Sequence, residues 1–187
     1  GLGYYNRARN LHKAACQIME DYDGVFPSTY EAIHSLSGVG DYTAGAIASI
    51  AFGLPEPAVD GNVLRVVARV TGDGSDITRL DTKARMGVAL KQVMPVEAPG
   101  DFNQALMELG ATVCLPNGAP LCDQCPAKEF CAARLTERTG ELPVKPAKKA
   151  RRVEERTVFL IFYGSSVALR RRKSRGLLAG LWEYPNE

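Results

Sequence analysis

Four of the chain's five cysteines fall within 18 consecutive residues, in the pattern Cys114-x7-Cys122-x2-Cys125-x5-Cys131. Four soft ligands crowded together serve no packing purpose, so the pattern predicts a metal centre rather than a disulfide framework. The odd total points the same way and suits a reducing compartment. Zinc also accepts four cysteines, but zinc ribbons usually bring two C-x2-C pairs on separate knuckles. Here one pair is flanked by single cysteines at longer, unequal gaps, which favours a loop wrapped round an iron-sulfur cubane held by thiolates. The fifth, Cys16, sits on the apolar face of a predicted helix and is expected to be an inert core thiol.

Upstream of the cysteines the periodicity is helical. Residues 4–23 place Leu11, Ala14, Ala15, Ile18 and Met19 at spacings of three and four, with Asp23-Gly24 as a stop. Ser28 is expected to cap a helix over 29–36, with Glu31 completing a capping box. After the tight turn Gly38-Val39-Gly40, residues 42–52 read as a helix buried on most sides. Asp60 precedes a helix over 61–70 with Val63, Val66, Val67 and Val70 on one face. Further helices are predicted over 80–94 and 101–113, with Asp81 and Asp101 in their first turns. Residues 138–155 form a Pro-, Lys- and Arg-rich linker without apolar period. Beyond it, the apolar runs 158–163 and 167–169 are separated by Gly164-Ser165-Ser166, a hairpin signal. The chain therefore reads as a mainly α body followed by the opening of an α/β or β-rich unit.

The net charge of +2 is unevenly spread: residues 1–144 carry 12 Lys+Arg against 17 Asp+Glu, and residues 145–175 carry 11 against 2. A basic stretch after an acidic body is ordinarily a solvated linker, and it is also what attracts a polyanion such as nucleic acid. No run of eighteen apolar residues and no basic-then-apolar leader occurs, so neither a membrane span nor a signal peptide is expected. The start without Met and the end at Pro185-Asn186-Glu187 lead us to expect a segment of a longer protein.

Two further motifs bear on chemistry. In Leu36-Ser37-Gly38-Val39-Gly40 two glycines let the backbone turn sharply, and the N–H groups opening the next helix suit a phosphate; a plain helix-helix corner is the equal alternative. Val59-Asp60-Gly61-Asn62 puts Asp60 at a helix N-cap, and taken alone it reads as a structural cap. Capping and catalysis are compatible, because a carboxylate at a helix N-terminus can stabilise an oxocarbenium-like transition state or activate water. His12 and His34 are too isolated for a triad or a metal site and read as ordinary polar residues.

In order along the chain, Gly1-Leu2-Gly3-Tyr4-Tyr5-x-Arg7-Ala8-Arg9-Asn10-Leu11-His12, Leu36-Ser37-Gly38-Val39-Gly40-Asp41-Tyr42-Thr43-Ala44, Val59-Asp60-Gly61-Asn62-Val63 and the four cysteines resemble the A/G-specific adenine DNA glycosylases (MutY type). These belong to the helix-hairpin-helix base-excision superfamily, and the resemblance covers about residues 1–137. Residues 177–185 resemble the start of that family's Nudix-like C-terminal domain.

The resemblance implies hydrolysis of the glycosidic bond of adenine mispaired with 8-oxoguanine or guanine in double-stranded DNA, leaving an abasic site. Base flipping is required because the bond is inaccessible in a stacked duplex. Asp60 matches the catalytic aspartate, Asn62 a pocket residue beside it, and Gly38, Val39 and Gly40 the hairpin that grips phosphate. Cys114, Cys122, Cys125 and Cys131 match the ligands of a 4Fe-4S cluster, and the carbonyls of His34, Leu36 and Val39 match positions that hold a monovalent cation. Tyr42 stands where lyase-competent members carry a nucleophilic Lys, so no Schiff base and no β-lyase step are expected.

The first cysteine gap is seven residues rather than the commoner six. The family's general acid, its wedge segment and its 8-oxoguanine-reading loop have no counterpart in these residues, so the chain alone is expected to bind DNA weakly and excise no adenine. The expected layout is the later part of a six-helix barrel with the hairpin (1–54), a cluster-bearing helical subdomain (55–137), the linker (138–155) and the Nudix-like start (156–187). A monomer acting on DNA in a bacterial cytoplasm, away from membranes, completes the reading. Its rivals are a thymine or uracil mismatch glycosylase and a non-catalytic, metal-stabilised DNA-binding module.

Overall fold

A computed structural model describes residues 4–147, 150–151 and 153–187. Gly1, Leu2 and Gly3 of the first motif, and residues 148, 149 and 152 of the linker, lie outside the described residues. The chain forms two compact units, Gly1–Pro146 and Ala147–Glu187.

The first unit contains α1 (Tyr5–Asp21), α2 (Tyr30–His34), α3 (Asp41–Phe52), α4 (Gly61–Thr71), α5 (Leu80–Val93), α6 (Pro99–Thr112) and α7 (Ala132–Leu135). Six correspond to predicted helices; α7 is a single turn, too short to leave a periodic signal. The cap of α2 differs from expectation. Thr29 is the N-cap, extended in backbone and accepting from the amide of Ala32, so Ser28 lies one residue too early and Glu31 cannot complete a capping box with it. No helix among the described residues is long and apolar enough to cross a membrane.

α4 is the centre of this unit, and it is buried nearly all round rather than along one face. Leu64 and Ala68 pack with Ile77 and with Met86 of α5, while Val70 packs against Cys131, Ala133 and Leu142. A second cluster joins α2 to α3 through Ile33, Ala44 and Ala48, with Val39 and Phe52 beside them. The segment entering α4 crosses α3 at Gly45, where a Cβ would lie 2.3 Å from the Pro57 carbonyl oxygen, a distance no side chain tolerates. Asn103 of α6, 1% exposed, secures the same segment from the other side. Its Oδ1 accepts from the Ala58 amide at 3.0 Å, and its Nδ2 donates to the Glu56 carbonyl and to Ser49 Oγ, each at 2.8 Å.

α1 departs from its predicted packing. Of its apolar stripe only Ala14 is buried, whereas Leu11 and Met19 are 74% and 67% exposed. Cys16 is correspondingly half-buried rather than in a core, with Sγ 3.9 Å from His12 Nδ1. The contacts of α1 with the rest of the unit are polar or small: the Ser37 amide donates to Gln17 Oε1 at 2.7 Å, and Asn10 lies against Gly38.

The second unit holds β1 (Phe162–Tyr163) paired antiparallel with β2 (Ser166–Val167), and β3 (Arg170–Arg171) paired with β4 (Trp182–Glu183). The predicted hairpin is present but short. Upstream of Ile161 the chain turns to a different partner: Val158 bridges to Asn186 and the Phe159 amide donates to the Pro185 carbonyl, so residues 157–159 pair with the C-terminal segment instead of with 167–169. None of the described residues of this unit is fully buried.

Asn103→Ala leaves the Ala58 amide and Ser49 hydroxyl without their buried partner, and is expected to cost about 2–4 kcal/mol in denaturant-induced unfolding. Asn103→Ser, which retains one hydrogen-bonding group, is expected to lose less.

Candidate active site and cysteine centre

Asp60 is the N-cap of α4, and the sequence around it explains why it is held so closely. Gly61 and Asn62 open the helix, so their region offers unpaired amides to a preceding carboxylate. Asp60 Oδ1 accepts from the amides of Asn62 and Val63 at 2.9 and 2.8 Å, and Oδ2 accepts from Asn62 Nδ2 at 3.1 Å. Both oxygens face donors, and Oδ2, with a single partner, keeps capacity for one more.

Tyr42 lies in the first turn of α3, 41% exposed, with its hydroxyl donating to Met107 Sδ at 3.2 Å. Asn62 sits against α6 at Gly110. Met107 and Gly110 are three residues apart on α6 and share a face, so that helix brings the neighbourhood of Tyr42 and the Asp60–Asn62 pair together.

The hairpin lies between α2 and α3. Gly38 has φ +79°, and a Cβ there would fall 2.6 Å from Asn10 Cβ, so this position requires glycine on two counts. Gly40 is different: its backbone is extended and a Cβ would meet nothing within 4 Å. It is the N-cap of α3 and supplies no side chain to the helix's opening amides. Val39 packs into the α2–α3 cluster and donates its amide to the Leu36 carbonyl at 3.0 Å, closing the turn.

The four clustered cysteines line one cavity, with about 390 Å³ of space free of protein atoms, its open mouth included. Val66, Arg69 and Val70 of α4 form one wall; Lys128 and Arg134 add positive charge. Burial, and then the proximity of Cys131, Cys114 and Cys125, pushes the Cys122 thiol up. Among the described residues no three or more His, Cys, Asp or Glu side chains converge as they would round a single metal ion.

Sequence reasoning missed Arg65 and Arg69. Both fall within the helix expected to bury only valines, and they are 3% and 5% exposed. Arg65 donates from Nη2 to Asn62 Oδ1 at 3.0 Å and to the Gly110 carbonyl at 2.6 Å, and from Nε to the Cys114 carbonyl at 2.8 Å. Arg69 donates to the carbonyls of Leu142 and Leu115 and, at 3.3 Å, to Cys114 Sγ. Asp60, Asn62, Arg65, Cys114 and Arg69 thus form a continuous polar path from the helix N-cap to the cysteine cavity. Burial holds Arg65 below the usual guanidinium range, opposed by Cys114. The only available signal was spacing, Arg65 and Arg69 lying four apart on the same side as Asn62.

Arg69→Leu strips donors from the buried Leu142 carbonyl, the part-buried Leu115 carbonyl and a sulfur, and is expected to cost roughly 3 kcal/mol in anaerobic unfolding measurements. Arg69→Lys keeps the charge but not the planar fork, so most of the loss is expected to persist.

No family model matches the chain. The adenine DNA glycosylase of Homo sapiens is 37% identical to it over 232 residues, an alignment that takes in 100% of this chain and 42% of that protein. The adenine DNA glycosylase of Schizosaccharomyces pombe is 34% identical, over 99% of this chain and 49% of its own length. The chain therefore spans less than half the length of these curated relatives. Among solved structures, a thermostable thymine-DNA glycosylase is similar with a TM-score of 0.64 at 29% identity, over 72% of this chain and 62% of the other. A non-covalent endonuclease III–DNA complex gives 0.59 at 28% identity, over 72% and 60%. With the helix, hairpin and helix at residues 30–52, the N-capping Asp60 and the cysteine cavity in their places, the chain belongs to the adenine DNA glycosylase family, on a helix-hairpin-helix glycosylase fold.

Proposed function

We propose that this chain carries the glycosyl-cleaving core of a repair enzyme that hydrolyses the N-glycosidic bond of adenine mispaired with 8-oxoguanine or guanine in duplex DNA. The observation that carries the reading is the Asp60 carboxylate, bound by three N–H donors and left with free capacity at Oδ2. Departure of the base leaves positive charge on the sugar, and a fixed carboxylate stabilises that charge and the water that captures it. Asn62 orients Oδ2, and Arg65 orients Asn62 in turn. Protonation of the leaving base calls for a separate acid, because Asp60 is engaged as an acceptor throughout.

Tyr42 supports hydrolysis without strand cleavage: a phenol beside the site provides no amine to condense with the opened sugar. Gly38, Val39 and Gly40 present the amides of α3 to a DNA phosphate, and a monovalent cation on the carbonyls of His34, Leu36 and Val39 belongs to the same reading. Action as a monomer on DNA in a bacterial cytoplasm, and a Nudix-like beginning in residues 156–187, complete it.

Cys114, Cys122, Cys125 and Cys131 would hold a 4Fe-4S cluster. The fit rests on the donor set: four thiols round one cavity, with Arg69, Lys128 and Arg134 beside them to offset thiolate charge. A 4Fe-4S cubane takes one thiolate per iron, so the four cysteines lining this cavity supply its ligand number. When bound, such a cluster supplies structural cross-linking of residues 114–131.

A thymine mismatch activity is the second reading, favoured by the likeness to the thymine-DNA glycosylase structure. The identity to adenine DNA glycosylases across this whole chain favours adenine.

Asparagine is as good an N-cap as aspartate, so Asp60→Asn should fold normally while single-turnover adenine release from an A:8-oxoguanine duplex by the full-length protein falls at least about 10²-fold. Unchanged release would return Asp60 to a purely structural role, and release of thymine in preference to adenine from a mismatch panel would favour the second reading. Anaerobically purified protein is expected to contain iron and sulfide in equal amounts; stoichiometric zinc from iron-replete cells would contradict the cluster assignment.

A further inference from the structure

The stretch that includes the hairpin is poorly suited to attract a polyanion. Residues 14–64 contain seven acidic side chains and neither Lys nor Arg, so the backbone amides of α3 have no Lys or Arg within that stretch to help them. One of the acids, Asp41, is the first residue of α3, immediately after the uncapped Gly40. An Asp in a helix's first turn ordinarily lies over the unpaired amides there and is favoured by the helix dipole. The amides of Asp41, Tyr42 and Thr43 have no hydrogen-bond partner among the described residues.

The Asp41 carboxylate is instead turned towards α2. Its Oδ1 accepts from His34 Nε2 at 2.8 Å. His34 is the last residue of α2, and its ring stacks on Tyr30 with centroids 5.8 Å apart, which fixes the direction of Nε2. The His34–Asp41 bond therefore closes the base of the hairpin from one helix end to the other, across Ser35 to Gly40. A neutral imidazole with its proton on Nε2 can donate this bond, so the contact does not require an imidazolium.

We propose that His34 is a positioning residue for DNA binding: it draws the Asp41 carboxylate away from the opening amides of α3 and so keeps them available to a DNA phosphate. The inference rests on the reading of residues 38–40 as a phosphate-binding hairpin. Without His34 the carboxylate is free to swing over those amides, satisfying them internally and repelling the phosphate. Asp41 then acts as a built-in competitor of the ligand.

The test is duplex DNA affinity by fluorescence anisotropy for the full-length protein, purified anaerobically, with circular dichroism confirming that each variant is folded. Asp41→Asn should tighten binding, and His34→Ala should weaken it, each by about twofold to fivefold. His34→Gln, whose amide can still donate to Asp41, should recover much of the loss. The double variant His34→Ala/Asp41→Asn should bind at least as well as the unsubstituted chain. If the double variant remains as weak as His34→Ala, His34 acts through packing or by its own contact with DNA, and the proposal is overturned.

Gly40→Asp separates this proposal from the hairpin reading beneath it. The site has room for the side chain, and an N-cap Asp should hold the helix at least as well as glycine while placing a carboxylate on the same amides. Weaker binding by Gly40→Asp with no effect of His34→Ala or Asp41→Asn would leave the hairpin in place and refute the role of His34. No effect of any of these substitutions would overturn the hairpin reading, and the proposal with it.

Discussion

Arg65 and Arg69 stand one turn apart on α4 with almost no access to solvent, and the first unit is arranged round satisfying them. A buried guanidinium is strongly destabilising unless its donors are met. Neither has a carboxylate bonded to it among the described residues. Arg65 instead takes carbonyls of Gly110 and Cys114 at the C-terminal end of α6, the negative pole of that helix, where carbonyls lack intrahelical partners. Arg69 reaches into the cysteine loop and to Leu142 beyond it. Two side chains thereby join segments 45 to 73 residues away in sequence to one helix.

The arrangement has a consequence for chemistry. The end of α4 that presents Asp60 and the end that walls the cysteine cavity belong to one rigid element, with Asn62 and Arg65 between them. A displacement of residues 114–131 would remove acceptors from Arg65 and Arg69 and loosen the orientation of Asn62 against Asp60. The cysteine loop is thus physically coupled to the carboxylate proposed to act on the glycosidic bond. Asn103 and Gly45 fix the approach to Asp60 from outside the helix, so the carboxylate is constrained from both directions along the chain.

At the hairpin the same economy of groups runs the other way. Where α4 is capped by a side chain, α3 is not: Gly40 offers no acceptor, and the nearby Asp41 is held by His34. One helix N-terminus is closed on an internal carboxylate and the other is left open towards solvent. In the proposed function that contrast between two neighbouring helices separates a carboxylate held in place from a helix end open to an external anion.

Much of this was legible in the sequence. The helices announced themselves by period, Asp60 by its place ahead of Gly61-Asn62, and the shared cysteine cavity by four cysteines in 18 residues, because these signals are local and depend on spacing alone. The cap of α2 was misplaced by one residue because Ser28 and Thr29 are equivalent as acceptors until the backbone decides which is extended. Cys16 and the stripe of α1 looked like core because amphipathicity records a preference for burial without saying what lies opposite. Only the tertiary structure could reveal Arg65 and Arg69 as interior groups, since their partners at residues 110, 114, 115 and 142 are remote in sequence and are mostly backbone carbonyls, which have no residue signature. The same holds for His34: alone in the sequence it suggests no partner, and the fold supplies one by bringing the end of α2 against Asp41 at the start of α3. Sequence determined which residues could carry the chemistry; the packing of α4 against α6 and the cysteine loop decided which of them are held together.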